Sequence, residues 1–257
     1  MISDTLFWRA KNLGDGKFSY TPPVSACVGP EGHQFYMGGV AMATHIEALE
    51  RHFKRPLYWA TTHFLNHGLL GEDMELRVEA ISGGRSVVQA MTEMRRGDTV
   101  LHRTIAALGA RDGEPDRAFV SMPDAPPPQK CPTKQDDAMA TKENLMNLFE
   151  RRVPLEDSDA GLEHMWIRPL FEAKIDAAYL ALISDFFLGA HVRTRRGTSL
   201  DNTFRLINLV ESEWLMMVTQ ISSFTRGAAH GNAHIFAEDG TLLATSSQTG
   251  LLPRPLE

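Results

Sequence analysis

Hydrophobic and polar positions along this chain change period several times, and twice in the same order. The first regular stretch is "GGVAMATHIEALERHF", residues 38–53. Val40, Ala43, Ile46, Leu49 and Phe53 make one wide apolar stripe at helical spacing, and His45, Glu47, Glu50 and Arg51 make the polar face. A strand-like run, "FSYTPPVSACVG", precedes it. Four strand-length runs follow: "PLYWATTHFLN", "MELRVEAIS", "SVVQAMTEMRR" and "TVLHRTIAALG". Gly83-Gly84 and Gly97-Asp98 supply turns between the later ones.

The second half repeats this order. "LEHMWIRPL" reads as a strand and residues 176–192, "DAAYLALISDFFLGAHV", as a helix. Then come "LDNTFRLINLV", "EWLMMVTQISSF", "AAHGNAHIFAE" and "TLLATSSQTGLL", with Asp239-Gly240 as a turn. The second helix is apolar on nearly every side, as a buried helix is. Asp185 sits in its middle. An ionised carboxylate is expensive to bury unless fixed donors satisfy it.

Between the halves lies a segment rich in Pro, Asp and Lys with no sustained period. Pro126 to Pro128 forbid a helix or a central strand there. The expected division is therefore 1–112, a linker over 113–144, and 145–257. About five antiparallel strands in each half need cover on one face, and one long helix per half is the natural cover. The fold class is α+β: two fused antiparallel sheets, each wrapped around a long central helix.

Composition narrows the function classes. The 257 residues are 43% hydrophobic and 23% charged, an ordinary globular balance. A net charge of -6 offers no excess of cations for a nucleic-acid partner. Cys27 and Cys131 are far apart and have no metal-ligand spacing, which suits free thiols in a reducing compartment. The N-terminal stretch lacks a secretory pattern, and the apolar helix is too short for a membrane span. A cytoplasmic protein with no membrane partner is expected. His230 and His234 in "HGNAH" have no carboxylate or cysteine spacing to support a metal.

The order and spacing of "YMGGVAMA", "ALISDFFLGAH", "SLDNTF", "EWL" and "EDGTLLATSSQTG" resemble those of the type II acyl-CoA thioesterases, which have a double hot-dog fold. The likeness covers nearly the whole chain outside the linker and is strongest in the second half. It implies hydrolysis of medium- to long-chain acyl-CoA to free fatty acid and CoA, with no organic cofactor or metal. In that family an Asp, a Thr and a Gln activate water. Those positions fall on Asp185, Ser199 and Gln248. Ser for Thr keeps the hydroxyl, and Thr198 beside it leaves a one-residue ambiguity. The family's His-Ser and His-Arg-Pro-Phe runs are replaced here by "TTHF", Asn202-Thr203 and "INLV", which points to a divergent branch with its own acyl preference.

The chemistry needs a base, a fixed water and donors for the oxyanion. Asp185 supplies the acceptor, and Ser199 and Gln248 can satisfy it. Gly38 and Gly39 open the first helix, where backbone N–H groups are unpaired, and so are the candidate oxyanion and substrate-binding site. Arg193, Arg195 and Arg196 form a basic cluster that could meet the phosphates of CoA, though a solvated loop fits them as well. The first half has "TIAAL" around the Gln248 position, so one active site per chain is expected. Sheet edges suggest a homo-oligomer. Two rival functions remain. A hot-dog enoyl-CoA hydratase would pair Asp185 with a histidine, for which only His191, six residues on, is near in sequence. A non-catalytic acyl-CoA binding or sensing protein would keep the pocket alone.

Overall fold

A computed structural model of the protein describes residues 6–111, 113, 117–134 and 144–253. The first half holds β1 (Lys11–Gly14), β2 (Lys17–Tyr20), the short pair β3 (Cys27–Val28) and β4 (Phe35–Tyr36), and helix α1 (Gly38–Phe53). It continues with β5 (Leu57–Phe64), β6 (Met74–Gly83), β7 (Val87–Arg96) and β8 (Thr99–Gly109). The second half holds β9 (Phe149–Asp157), β10 (Leu162–Pro169), helix α2 (Ala177–Ser184), β11 (Thr198–Leu206), β12 (Leu215–Thr225), β13 (Ala228–Ala237) and β14 (Leu242–Leu251).

Twelve strands form one sheet in the order β1-β2-β6-β7-β8-β5-β11-β14-β13-β12-β10-β9. Read from either end the plan is the same: an outer pair, a three-stranded meander, then the strand that follows the helix. The two sheets expected from sequence are thus one continuous surface. They join where β5 meets β11, with Thr61 opposite Thr203 and their hydroxyls 3.0 Å apart. Both helices and strands of both halves contribute to a single hydrophobic core. The helices run antiparallel, since the start of α1 packs on the end of α2 at Leu182 and Asp185.

Helix α1 has the bounds its periodicity predicts and ends at Lys54, in the left-handed conformation with φ 52°. Its polar face is not a solvent face. His45 is fully buried and its Nδ1 bonds the Thr92 hydroxyl. Glu47 pairs with Arg9 and Arg51, and Glu50 accepts the Leu57 amide at 2.8 Å.

The long second helix expected from sequence is corrected by the structure. The α-helical part covers only Ala177–Ser184, capped by Asp176 accepting the Tyr179 amide, and the chain continues to Ala190 in tighter 3-10 turns. Asp185 is therefore at the helix end, not in its middle. A run that is apolar all round carries no period to mark this change of winding, because both forms bury every side.

The expected linker is largely docked where it is described. Trp166 donates to the Pro126 carbonyl at 2.9 Å. Cys131 and Met122 pack with Trp166, Trp214 and Phe236 in a cluster separate from the main core. Residues 132–134 bond to the edge strand β9, and Lys134 forms a buried ion pair with Glu163. No described helix is long and apolar enough to cross a membrane.

Candidate active site

Three elements converge on Asp185. The end of α2 delivers the carboxylate, which is 8% exposed. Strand β14 delivers Gln248, whose Nε2 donates to Asp185 Oδ1 at 2.9 Å and to Ser199 Oγ at 2.8 Å. Strand β11 delivers Ser199, whose hydroxyl lies a long 3.5 Å from the same carboxylate oxygen. The structure thus brings Asp185, Ser199 and Gln248 together. Thr198 lines the same cavity but is exposed, and it is Ser199 that joins this hydrogen-bonded set.

A fourth member, Asn202, carries no role in the sequence reading. It is fully buried. Its Nδ2 donates to Gln248 Oε1 at 3.0 Å and to Ser184 Oγ at 3.2 Å. Asn202 and Gln248 are direct cross-strand partners. Strict alternation would put Ser199 and Asn202, three apart, on opposite faces of β11. A register shift between Ser199 and Asp201 resets the alternation and turns both inward. The signal in the sequence was a polar Asn in a strand, and nothing in the pattern showed the bulge.

Gly38 and Gly39 are where two helix ends touch. A Cβ on Gly39 would lie 2.6 Å from the Leu182 carbonyl oxygen and 2.8 Å from Asp185 Cβ. A Cβ on Gly38 would lie 2.9 Å from Asp185 Oδ2 and 3.0 Å from the Phe64 ring. Glycine is required here for close approach. The Gly39 amide hydrogen-bonds to Asp185, and Gly38 lines the cavity in front of it.

Electrostatics follow from these contacts. Burial pushes the Asp185 carboxyl up from 3.8 to about 6, while Gln248, the Gly39 amide, Ser199 and Asn202 pull it back down. All of these partners are neutral. The carboxyl therefore titrates closer to neutral pH than an exposed one does.

The site opens into a cavity of about 730 Å³. Its lining includes the apolar Phe35, Met37, Phe64, Met146 and Phe186 as well as Arg195, Arg196 and Gly197. The three arginines separate. Arg195 binds Glu156 through both carboxylate oxygens at 2.8 and 2.9 Å. Arg196 is exposed at the cavity. Arg193 is not among the lining residues and lies over the Phe224 ring at 4.7 Å. His191 is engaged elsewhere too: Nε2 bonds the Ser158 carbonyl at 3.0 Å and Nδ1 accepts the Arg193 amide at 3.0 Å. Among the described residues no cluster of three His, Cys, Asp or Glu could hold a metal.

Comparisons with known proteins bear on the family and the fold. Two family profiles match, an acyl-CoA thioesterase N-terminal domain over residues 29–109 and an acyl-CoA thioesterase C-terminal domain over 123–252. The second match includes the docked part of the connector. A candidate thioesterase from Novosphingobium aromaticivorans DSM 12444 is similar in structure at 28% identity and a TM-score of 0.89, covering 95% of this chain and 98% of that one. An acyl-CoA thioesterase II from Mycobacterium marinum shares 21% identity at a TM-score of 0.76, covering 97% of each chain. A hot-dog protein from Alicyclobacillus acidocaldarius shares 20% identity at 0.82, covering 95% and 96%. The hot-dog fold is thus shared across all of this chain's described halves. No curated protein matches the sequence.

Proposed function

We propose, for a chain that belongs to the acyl-CoA thioesterase family, that Asp185 is the base that draws a proton from the attacking water. The chain is a thioester hydrolase, and the family implies acyl-CoA as its substrate class. What remains to be assigned is how this chain's residues do the work and on which acyl groups.

The observation that carries the assignment is the convergence of Gln248, Ser199, Asn202 and the Gly39 amide on one buried carboxylate beside a cavity. Gln248 and Ser199 fix Asp185 and hold the water. The water oxygen attacks the thioester carbonyl carbon as its proton passes to Asp185. The C–S bond then breaks, and the proton goes to the leaving sulfur, giving free acid and CoA. The Gly38 amide, in the first turn of α1 where no i−4 carbonyl is available, is the donor we assign to the oxyanion. The Gly39 amide serves Asp185 instead.

The aromatic and Met side chains of the lining suit a medium- to long-chain acyl group. The lining at Arg195, Arg196 and Gly197 suits CoA, with Arg196 the side chain available for phosphate. The hydratase alternative finds no support, because both ring nitrogens of His191 have structural partners. The test is release of free thiol from acetyl- to palmitoyl-CoA by wild type and Asp185→Asn. Hydrolysis that peaks at some chain length and falls roughly 10³-fold in the variant is expected. Binding without hydrolysis across the panel would leave a non-catalytic acyl-CoA binder.

A further inference from the structure

His102, on β8, lines the cavity without a hydrogen-bond partner in the protein. It is 3% exposed. Its ring packs beside Tyr36, Phe64 and His45, with centroids 5.7, 5.8 and 6.0 Å away. Neighbouring buried polar groups pair with one another: Tyr36 with Thr44 at 2.7 Å, Thr62 with Thr104 at 2.8 Å, and His45 Nδ1 with Thr92. His102 Nδ1 is buried with no such partner. A buried polar group is normally satisfied, and an unsatisfied one calls for an explanation. An apolar side chain of the same size would line an acyl tunnel without that penalty.

We propose that His102 reads an oxygen on the acyl chain, so that the preferred substrates are thioesters whose acyl group carries a hydroxyl or oxo group rather than plain saturated chains. This rests on the reading that the cavity receives an acyl thioester beside Asp185. Burial holds the imidazole neutral, down to about 3, so it offers one donor and one acceptor. One neutral ring nitrogen can donate to a hydroxyl or a ketone, or in the other tautomer accept from a hydroxyl, and it lacks the positive charge that a buried carboxylate would need. The position along the chain follows from Phe64. Its ring edge lies beside Gly38 and Asp185, and His102 is one ring beyond it. The oxygen that His102 meets is therefore several carbons from the thioester and not adjacent to it.

His45 Nε2 is also buried without a protein partner. A site that hydrogen-bonds a substrate oxygen discriminates against the analogue that lacks it.

The test compares kcat/KM for decanoyl-CoA with hydroxydecanoyl-CoAs bearing the hydroxyl at successive positions. Wild type should prefer one or two mid-chain positions by roughly tenfold. His102→Leu should lose that preference and gain on decanoyl-CoA. His102→Gln, which keeps a neutral donor and acceptor, should retain part of it. A flat wild-type panel with decanoyl-CoA turned over well would overturn the proposal. So would an identical positional preference in His102→Leu. Failure to hydrolyse any of these thioesters would instead overturn the reading of the site itself.

Discussion

The antiparallel helix pair has two ends, and each presents carboxylates to the partner helix, buried at one end and half-buried at the other. At one end Asp185 meets Gly38 and Gly39 at the start of α1. At the other, Glu47 and Glu50 near the end of α1 face Asp176 at the start of α2, close enough for the charges to act on one another. Burial raises Asp185, Glu47 and Glu50 alike. What differs is the company. Asp185 has only neutral donors and a cavity. Glu47 has Arg9 at 3.2 Å and Arg51 at 3.1 Å, and Arg51 also ties down the Ala10 carbonyl at 2.6 Å. The strands differ as well. Across the seam Asn202 opposes Thr62, and where the second half pairs Asn202 with Gln248 the first pairs Thr62 with Thr104. The fully buried Trp8 and its neighbour Phe7 fill the Glu47 end, Phe7 edge-on to Phe171 and Trp8 tilted against Tyr179. One scaffold thus gives a carboxylate with neutral donors, the proposed base, at one end and a cation-locked anchor at the other.

Substitutions sharpen this contrast. Trp8→Ala should remove the plug's largest contact and cost about 3–5 kcal/mol in denaturant unfolding. The kcat/KM of the folded fraction should be unchanged. Lost activity in the folded fraction would mean that the two ends are not separable.

Asp185→Asn should move stability the other way. Its carboxyl sits at about 6 folded against 3.8 unfolded, so the native state holds the proton more tightly. That contribution is present at low pH and lost as pH rises from about 4 to 6. At pH 8 the variant should gain up to about 3 kcal/mol over wild type, and near pH 4 little or nothing. Unfolding curves at the two pH values check the sign.

Gly39→Ala puts a methyl against the Leu182 carbonyl and Asp185 Cβ, neither of which is a flexible side-chain end. Helix separation should cost about 1–3 kcal/mol and most of the activity, read from unfolding and thiol release. Glu47→Gln, at the other end, should cost about 1–2 kcal/mol and leave kcat/KM within about twofold.

Much of this was legible in the sequence. Helix α1 follows its 3.6 period to the residue, and strands β5–β8 and β10–β14 follow their runs and glycine turns. Asp185 stood out because a carboxylate in an apolar run needs donors, and Ser199 and Gln248 supply them. Other features depend on geometry that no period carries. Asn202 faces inward because of a bulge. Edge strand β9 contains Pro154, tolerated at a sheet margin but discouraging from sequence. The polar residues of α1 read as a solvent face, yet His45 is buried against Thr92 of β7, and Glu47 and Arg51 are half-buried against the N-terminal segment. The Pro-rich connector read as a linker, yet Trp166 and Glu163 dock it.

The central claim is that neutral donors tune one carboxylate into a base. The pH profile of kcat/KM in wild type and Gln248→Met tests it most directly. Wild type should rise with pH through a midpoint near 6 and then level off. Removing the Nε2 donor destabilises the anion, so the midpoint should move up by about one unit and the plateau should fall. A midpoint unmoved in the variant, or no rise between about pH 5 and 8 in wild type, would contradict the account.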